Sequence, residues 1–246
     1  MEMFQKKKMN LGLYFGILFI IIALIVVLFI IFKYTVEGEA IPPFKVSKLV
    51  VVSGAKTDNL KLQEEKYTSD VLQNNDVKIV IEKNPEYKKE AIIKKVRINN
   101  IQIEGNEIAK NIELYRPSIK INGYEYKEEY KINGEMYYIG SQETYLRSET
   151  LQLANQGGIL EFSIIANDLG TIEYTADELL KVDGTLLKQI GIEDINYKVS
   201  FDLIIELEND VKLKTKITLE LPAGDILENG IETIEQKDLK TIFKRI

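Results

Sequence analysis

The 246-residue chain contains no cysteine, no histidine and no tryptophan. Without cysteine there is no thiolate nucleophile, no disulfide and no thiolate metal ligand. Without histidine there is no imidazole general base and no triad of the Ser-His-Asp kind. Haem attachment and Cys/His zinc sites are excluded with them. Arginine is scarce: Arg97, Arg116, Arg147 and Arg245 stand against 28 lysines. With abundant Ile and Asn, that skew suggests an AT-rich, bacterial genome.

Phosphate-binding loops are missing as well. Neither G-x-x-x-x-G-K-[ST] nor G-x-G-x-x-G occurs, so nucleotide binding has no support. No D-x-[DN]-x-[DN]-G pattern is present, and Asn167-Asp168-Leu169-Gly170 and Asp177-Glu178 read as a turn and a helix start. No metal and no cofactor is therefore expected. The formal net charge is -6. Residues 34–246 hold 28 basic and 37 acidic side chains, a net of -9. So acidic a body lacks the basic patch that phosphate backbones require, and nucleic acid is not an expected partner.

What is present begins with a membrane element. Residues 11–32 are 22 positions without a charge, rich in Ile, Leu, Val and Phe. A helix of that length spans the ~30 Å hydrocarbon core of a bilayer. A cleaved signal peptide would have an apolar run of ~7–15 residues and a small-residue cleavage site, and neither is found. The expectation is a single uncleaved span after a cytoplasmic tail (1–10), then a spacer (33–43) stiffened by Pro42-Pro43. Lys6, Lys7 and Lys8 precede the span, while Lys33 is the one basic residue close behind it. That asymmetry places the N-terminus in the cytoplasm and the C-terminal body outside the cell membrane. Gly12 and Gly16 form a G-x-x-x-G, and Ala23 falls near the same helix face, a pattern that lets two membrane helices pack into a homodimer.

From residue 44 the sequence reads as β. Segments 44–53, 77–82, 95–104, 159–166, 196–207 and 211–221 are rich in β-branched and aromatic residues. Several alternate apolar with polar, as strands do when one face lines a core and the other meets water. Asn122-Gly123 and Asn133-Gly134 are hairpin signals, and Asn209-Asp210 separates two long strands. The repeated Lys-Ile-Asn-Gly at 120–123 and 131–134 suggests a three-stranded meander. One helix is expected after Thr175 and Glu178, a possible capping box, with Leu179, Val182, Leu186 and Ile190 at helical spacing. At the C-terminus, Leu239, Thr241 and Phe243 alternate with Lys240, Ile242 and Lys244, which predicts a paired strand over 239–245. The predicted fold is mainly β, an antiparallel β-sandwich over 44–246. It is either one large sandwich or two small packed subdomains with a seam near 141–158, with one inserted helix and a single transmembrane helix in front.

Candidate functional residues are few. Seven tyrosines lie between 115 and 145, and Tyr124, Tyr126 and Tyr130 share one face if 124–130 is a strand. Such a face suits a partner or a sugar, and it equally suits cross-strand packing. Carboxylate pairs are guaranteed by 38 acidic residues. Glycosidase chemistry would need one pair held ~5 or ~6.5–9.5 Å apart.

The stretch Phe44-Lys-Val-Ser-Lys-Leu-Val-Val-Val-Ser-Gly-Ala, following a short tail and one span, resembles the start of the outside portion of the DivIB/FtsQ division proteins over about a dozen residues. That resemblance implies an amphipathic helix next. Residues 56–75 are polar without helical periodicity, so the likeness stops there and no membership follows. The expected function is a single-pass membrane protein displaying a non-catalytic outside β-domain. Its partners would be the lipid bilayer and another envelope or membrane protein. The alternative is an envelope hydrolase using paired carboxylates.

Overall fold

The computed structural model describes residues 11–63, 65–105, 108, 111–118, 123–133, 136–139, 151–154, 156–175, 177–178 and 180–246. Its first element is the helix α1 (Leu11–Phe32), which continues as a single π-helical stretch, Lys33–Glu37. The apolar span Tyr14–Glu37 is long and apolar enough to cross a membrane, and its residues from Tyr14 through Lys33 are exposed. The spacer thus begins as helix and turns away only at Gly38, whose φ of 96° lies in the left-handed region.

The body consists of two antiparallel sheets. One is ordered β10-β1-β2-β7-β4, from Glu232–Lys237, Phe44–Gln63, Lys66–Lys83, Gly157–Thr175 and Asn111–Tyr115, with β6 (Leu151–Ala154) also pairing β7. The other is ordered β11-β9-β8-β3-β5, from Lys244–Arg245, Lys212–Leu221, Tyr197–Leu207, Ile93–Gly105 and Met136–Ile139. The expected alternation is plain in β9, where Leu213, Thr215, Ile217, Leu219 and Leu221 are buried and Lys216, Thr218 and Glu220 face water. Asn209 and Asp210 form the β8–β9 turn, with Asp210 at φ 63°. One hydrophobic cluster runs through both sheets, and Phe162 of β7 meets Phe201 of β8 edge-on with centroids 5.7 Å apart.

Four expectations are corrected. The helix after Thr175 shrinks to the one-turn α2 (Leu186–Gln189); a second turn, α3, spans Ile226–Asn229. Glu178 does accept from the Thr175 amide at 2.7 Å, but the capping geometry closes a turn and no helix follows. The apolar residues behind it serve the core instead: Leu186 and Leu187 are fully buried. Among the described residues no meander forms, because β4 and β5 join different sheets. The residues of its turns at 122 and 134 lie outside the described set. Residues 167–170 are not a turn between elements but a bulge within β7, with Asp168 at φ 55° and the β2 register jumping from Val71 to Gln73. The C-terminal strand is two residues long, Lys244–Arg245, although Leu239, Thr241 and Phe243 do face inward. Of the seam at 141–158, residues 141–150 and 155 are not described, and 151–154 and 157–158 are strand.

Candidate partner-binding site

Phe44 begins β1 beside the spacer: the amide of Asn84, at the end of β2, donates to the Pro43 carbonyl at 2.8 Å. β1 then runs 20 residues to Gln63, about 60 Å at ~3.3 Å per residue. Its sandwich portion ends near Ser53, where the ladder with β10 stops. Residues 56–63, 66–70 and 171–175 continue outward as a three-stranded ribbon of β1, β2 and β7. This is the stretch the DivIB/FtsQ resemblance would make helical. Beyond Ser53 no described strand pairs with the outer edge of β1.

The ribbon carries an apolar strip. Leu62 pairs with Tyr67, and Tyr67 with Tyr174, so the three share one face. The two tyrosine rings stack with centroids 5.5 Å apart. Leu60 lies two residues from Leu62 on the same strand. Leu60 is 61% exposed and Leu62 62% exposed. A bulge between Asp58 and Lys61 sets this face, with Asn59 at φ 54° and its side-chain amide donating to Asp70 at 2.9 Å. At the same far end, beyond the last residues of β3 and β9, lies an open cleft of about 900 Å³. Glu104, Glu193, Asp194, Glu220 and Asp225 line it with Lys198.

The ribbon is anchored by a polar network sealed between the sheets. The Tyr197 hydroxyl donates to Gln73 at 2.6 Å, and the Asn75 amide donates to Tyr197 at 2.5 Å and to the Ile164 carbonyl at 3.2 Å. Ser53 donates to Asn75 at 2.6 Å and accepts from the Ala223 amide at 2.8 Å. All four side chains are buried, and burial pushes the Tyr197 phenol far up.

The sequence-predicted tyrosines sit elsewhere, on the outer face of the first sheet. Residues 124–126 are not strand, and 128–130 is a 3-10 turn, so Tyr124, Tyr126 and Tyr130 share no strand face. Tyr130 is buried with Leu72, Tyr115 and Ile165, and Tyr126 packs against them. Tyr126 and Tyr130 thus cover the sheet. Tyr126 also accepts from Lys56 at 3.0 Å, and Lys56 lies 3.8 Å from Asp76, which accepts from the Ser163 hydroxyl at 2.7 Å. Burial alone would lower the Lys56 ammonium, but Asp76 and Tyr126 raise it above the ordinary lysine value. A lysine held protonated is no general base at neutral pH, and Ser163 is fully buried. Among the described residues no three acidic side chains converge as a metal site.

Gly12, Gly16 and Ala23 lie on α1 within ~40° of one another at 100° per residue. Open space surrounds both glycines. The fold and these surfaces define an antiparallel β-sandwich with an N-terminal apolar helix and a projecting ribbon. No family model, no curated protein and no solved structure matches the chain.

Proposed function

We propose that the chain is a single-pass membrane protein whose body stands outside the cell membrane and binds another envelope protein without catalysing a reaction. The observation that carries this reading is the ribbon: a Leu60–Leu62–Tyr67–Tyr174 strip, exposed at its leucines and half-buried at its tyrosines, beside a β1 edge that no described strand pairs, about 60 Å from the spacer at ~3.3 Å per residue. An open edge accepts a partner strand by main-chain pairing, and flanking apolar side chains supply the specificity. Tyrosine-centred apolar strips are where protein interfaces concentrate their energy. Lys6–Lys8 support a cytoplasmic N-terminus, and Gly12, Gly16 and Ala23 offer a face for pairing two copies in the membrane.

Two measurements test it. Protease added to protoplasts removes the body; full protection would refute the orientation. A photo-crosslinking side chain at position 62 gives a discrete adduct in intact cells, and Tyr174→Ala abolishes that adduct. Absence of any adduct at 62, with normal expression, would remove the ribbon as the binding site.

A further inference from the structure

The C-terminal segment is packed against the exit of α1. The Glu39 amide donates to the Phe243 carbonyl at 2.7 Å, and the Arg245 guanidinium bonds the Glu39 carboxylate. The same guanidinium lies over the Tyr34 ring, 4.1 Å from its centroid. Gly38 fits against this segment because it lacks a side chain: a Cβ there would stand 2.6 Å from Ile242 Cγ2 and 2.8 Å from the Phe243 carbonyl oxygen. The junction is a docked joint, so the height of residues 242–246 above the apolar helix is fixed.

That height is small. The headgroup layer adds about 5–7 Å on each side of the hydrocarbon core. Tyr34 is two residues past Phe32, or ~3 Å of helix rise. Arg245, stacked on Tyr34, therefore lies within the headgroup layer. Around it the body exposes apolar side chains that the sandwich does not use. Ile242 is 61% exposed and Ile246 57% exposed, and Val36 on the spacer is exposed as well. Lys33, Lys240 and Lys244 are exposed cations among them. Glu39 is neutralised by Arg245, which leaves Glu37 as the exposed carboxylate of the spacer.

We infer that residues 240–246 form a second membrane contact, in which Ile242 and Ile246 insert at the acyl–headgroup boundary and Lys240 and Lys244 meet lipid phosphates, while Arg245 holds the segment to Tyr34 and Glu39. Apolar side chains interleaved with lysines, at headgroup depth, are the chemistry of an interfacial lipid contact. The contact rests on the reading of α1 as a membrane span, and it deepens that reading: the body is held upright by two points, and the ribbon points away from the bilayer.

The chain has no cysteine, so single-cysteine variants report one site each. The full chain is reconstituted in phosphatidylcholine–phosphatidylglycerol vesicles with an environment-sensitive fluorophore at Phe19→Cys, Ile242→Cys or Leu62→Cys. Nitroxide-labelled lipid is then added. The expected result is strong quenching at positions 19 and 242 and almost none at 62. Quenching at 19 without quenching at 242 overturns the second contact while leaving the span intact. A probe at 242 shielded from aqueous iodide yet untouched by lipid nitroxide reports a protein neighbour, and likewise overturns it. No quenching at 19 overturns both.

Discussion

At the scale of single residues, the least sequence-legible part of the body is its buried polar network. Gln73, Asn74 and Asn75 belong to a stretch that reads as polar and without period, yet Gln73 and Asn75 point into the sandwich. They are tolerated there because their amides bond each other, the Asn74 and Ile164 carbonyls, Tyr197 and Ser53. Hydropathy cannot show a partner 122 residues away in sequence. Asn75→Ala should cost ~2–4 kcal/mol, since it strands several buried groups at ~1–3 kcal/mol each. Denaturant unfolding measures it, and a loss below 1 kcal/mol would show that the network relaxes freely. A second residue-scale test is acid. Burial works to raise the Glu113 carboxyl, but hydrogen bonds from Lys131, Tyr115 and Asn167 hold it below the ordinary carboxylate value. A depressed folded-state pKa contributes stability above the unfolded value of ~4.3 and loses it as pH falls through the folded value. Glu113→Gln should therefore flatten the stability–pH curve below about pH 4.3 while lowering stability at pH 7.

At the scale of elements, strands were far more legible than helices. All six segments expected as β are strands, because an alternating pattern is met by one sheet face and needs no knowledge of the partner strand. The expected helix does not form because spacing alone does not distinguish a helix from an irregular chain, in which Leu186 enters the core while Val182 stays 47% exposed. The tyrosine segment departs for a similar reason: period two predicts a strand, whereas the chain lies as a cover over a sheet already formed. The C-terminal segment is intermediate. Its alternation was correct, but after Asp238, at φ 49°, the chain must cross from one sheet to the other, and only Lys244–Arg245 reach the β9 ladder. Its anchor is Phe243, 0% exposed in the common core. Phe243→Ala should destabilise by ~3–5 kcal/mol with the cavity included. Ile242→Ala, on the exposed side, should change the unfolding midpoint of detergent-solubilised protein little. Equal effects of the two would mean that the segment does not hold this orientation.

At the scale of the whole molecule, the common core implies that the body folds without the span. Both sheets close over one cluster, and no described side chain of α1 is buried in it. A fragment beginning at Ile41 should give a β-type circular dichroism spectrum and melt cooperatively, with the same midpoint in reductant because there is no cysteine. A helix-dominated spectrum would contradict the architecture. The joint between spacer and C-terminal segment adds a finer expectation. A fragment beginning at Lys33 retains Tyr34, Gly38 and Glu39, and with them the Arg245 stack, the Arg245 ion pair and the bond to the Phe243 carbonyl. These are partly exposed contacts, worth together about 1–2 kcal/mol. For a body of this size each 1 kcal/mol moves the midpoint by roughly 2–4 °C. The longer fragment should therefore melt a few degrees above the shorter one, and Gly38→Ala in the longer fragment should erase the difference by forcing Ile242 and the Phe243 carbonyl away. Identical midpoints for the two fragments would show that the joint is not made in solution, and that the body hangs from the helix by a free tether.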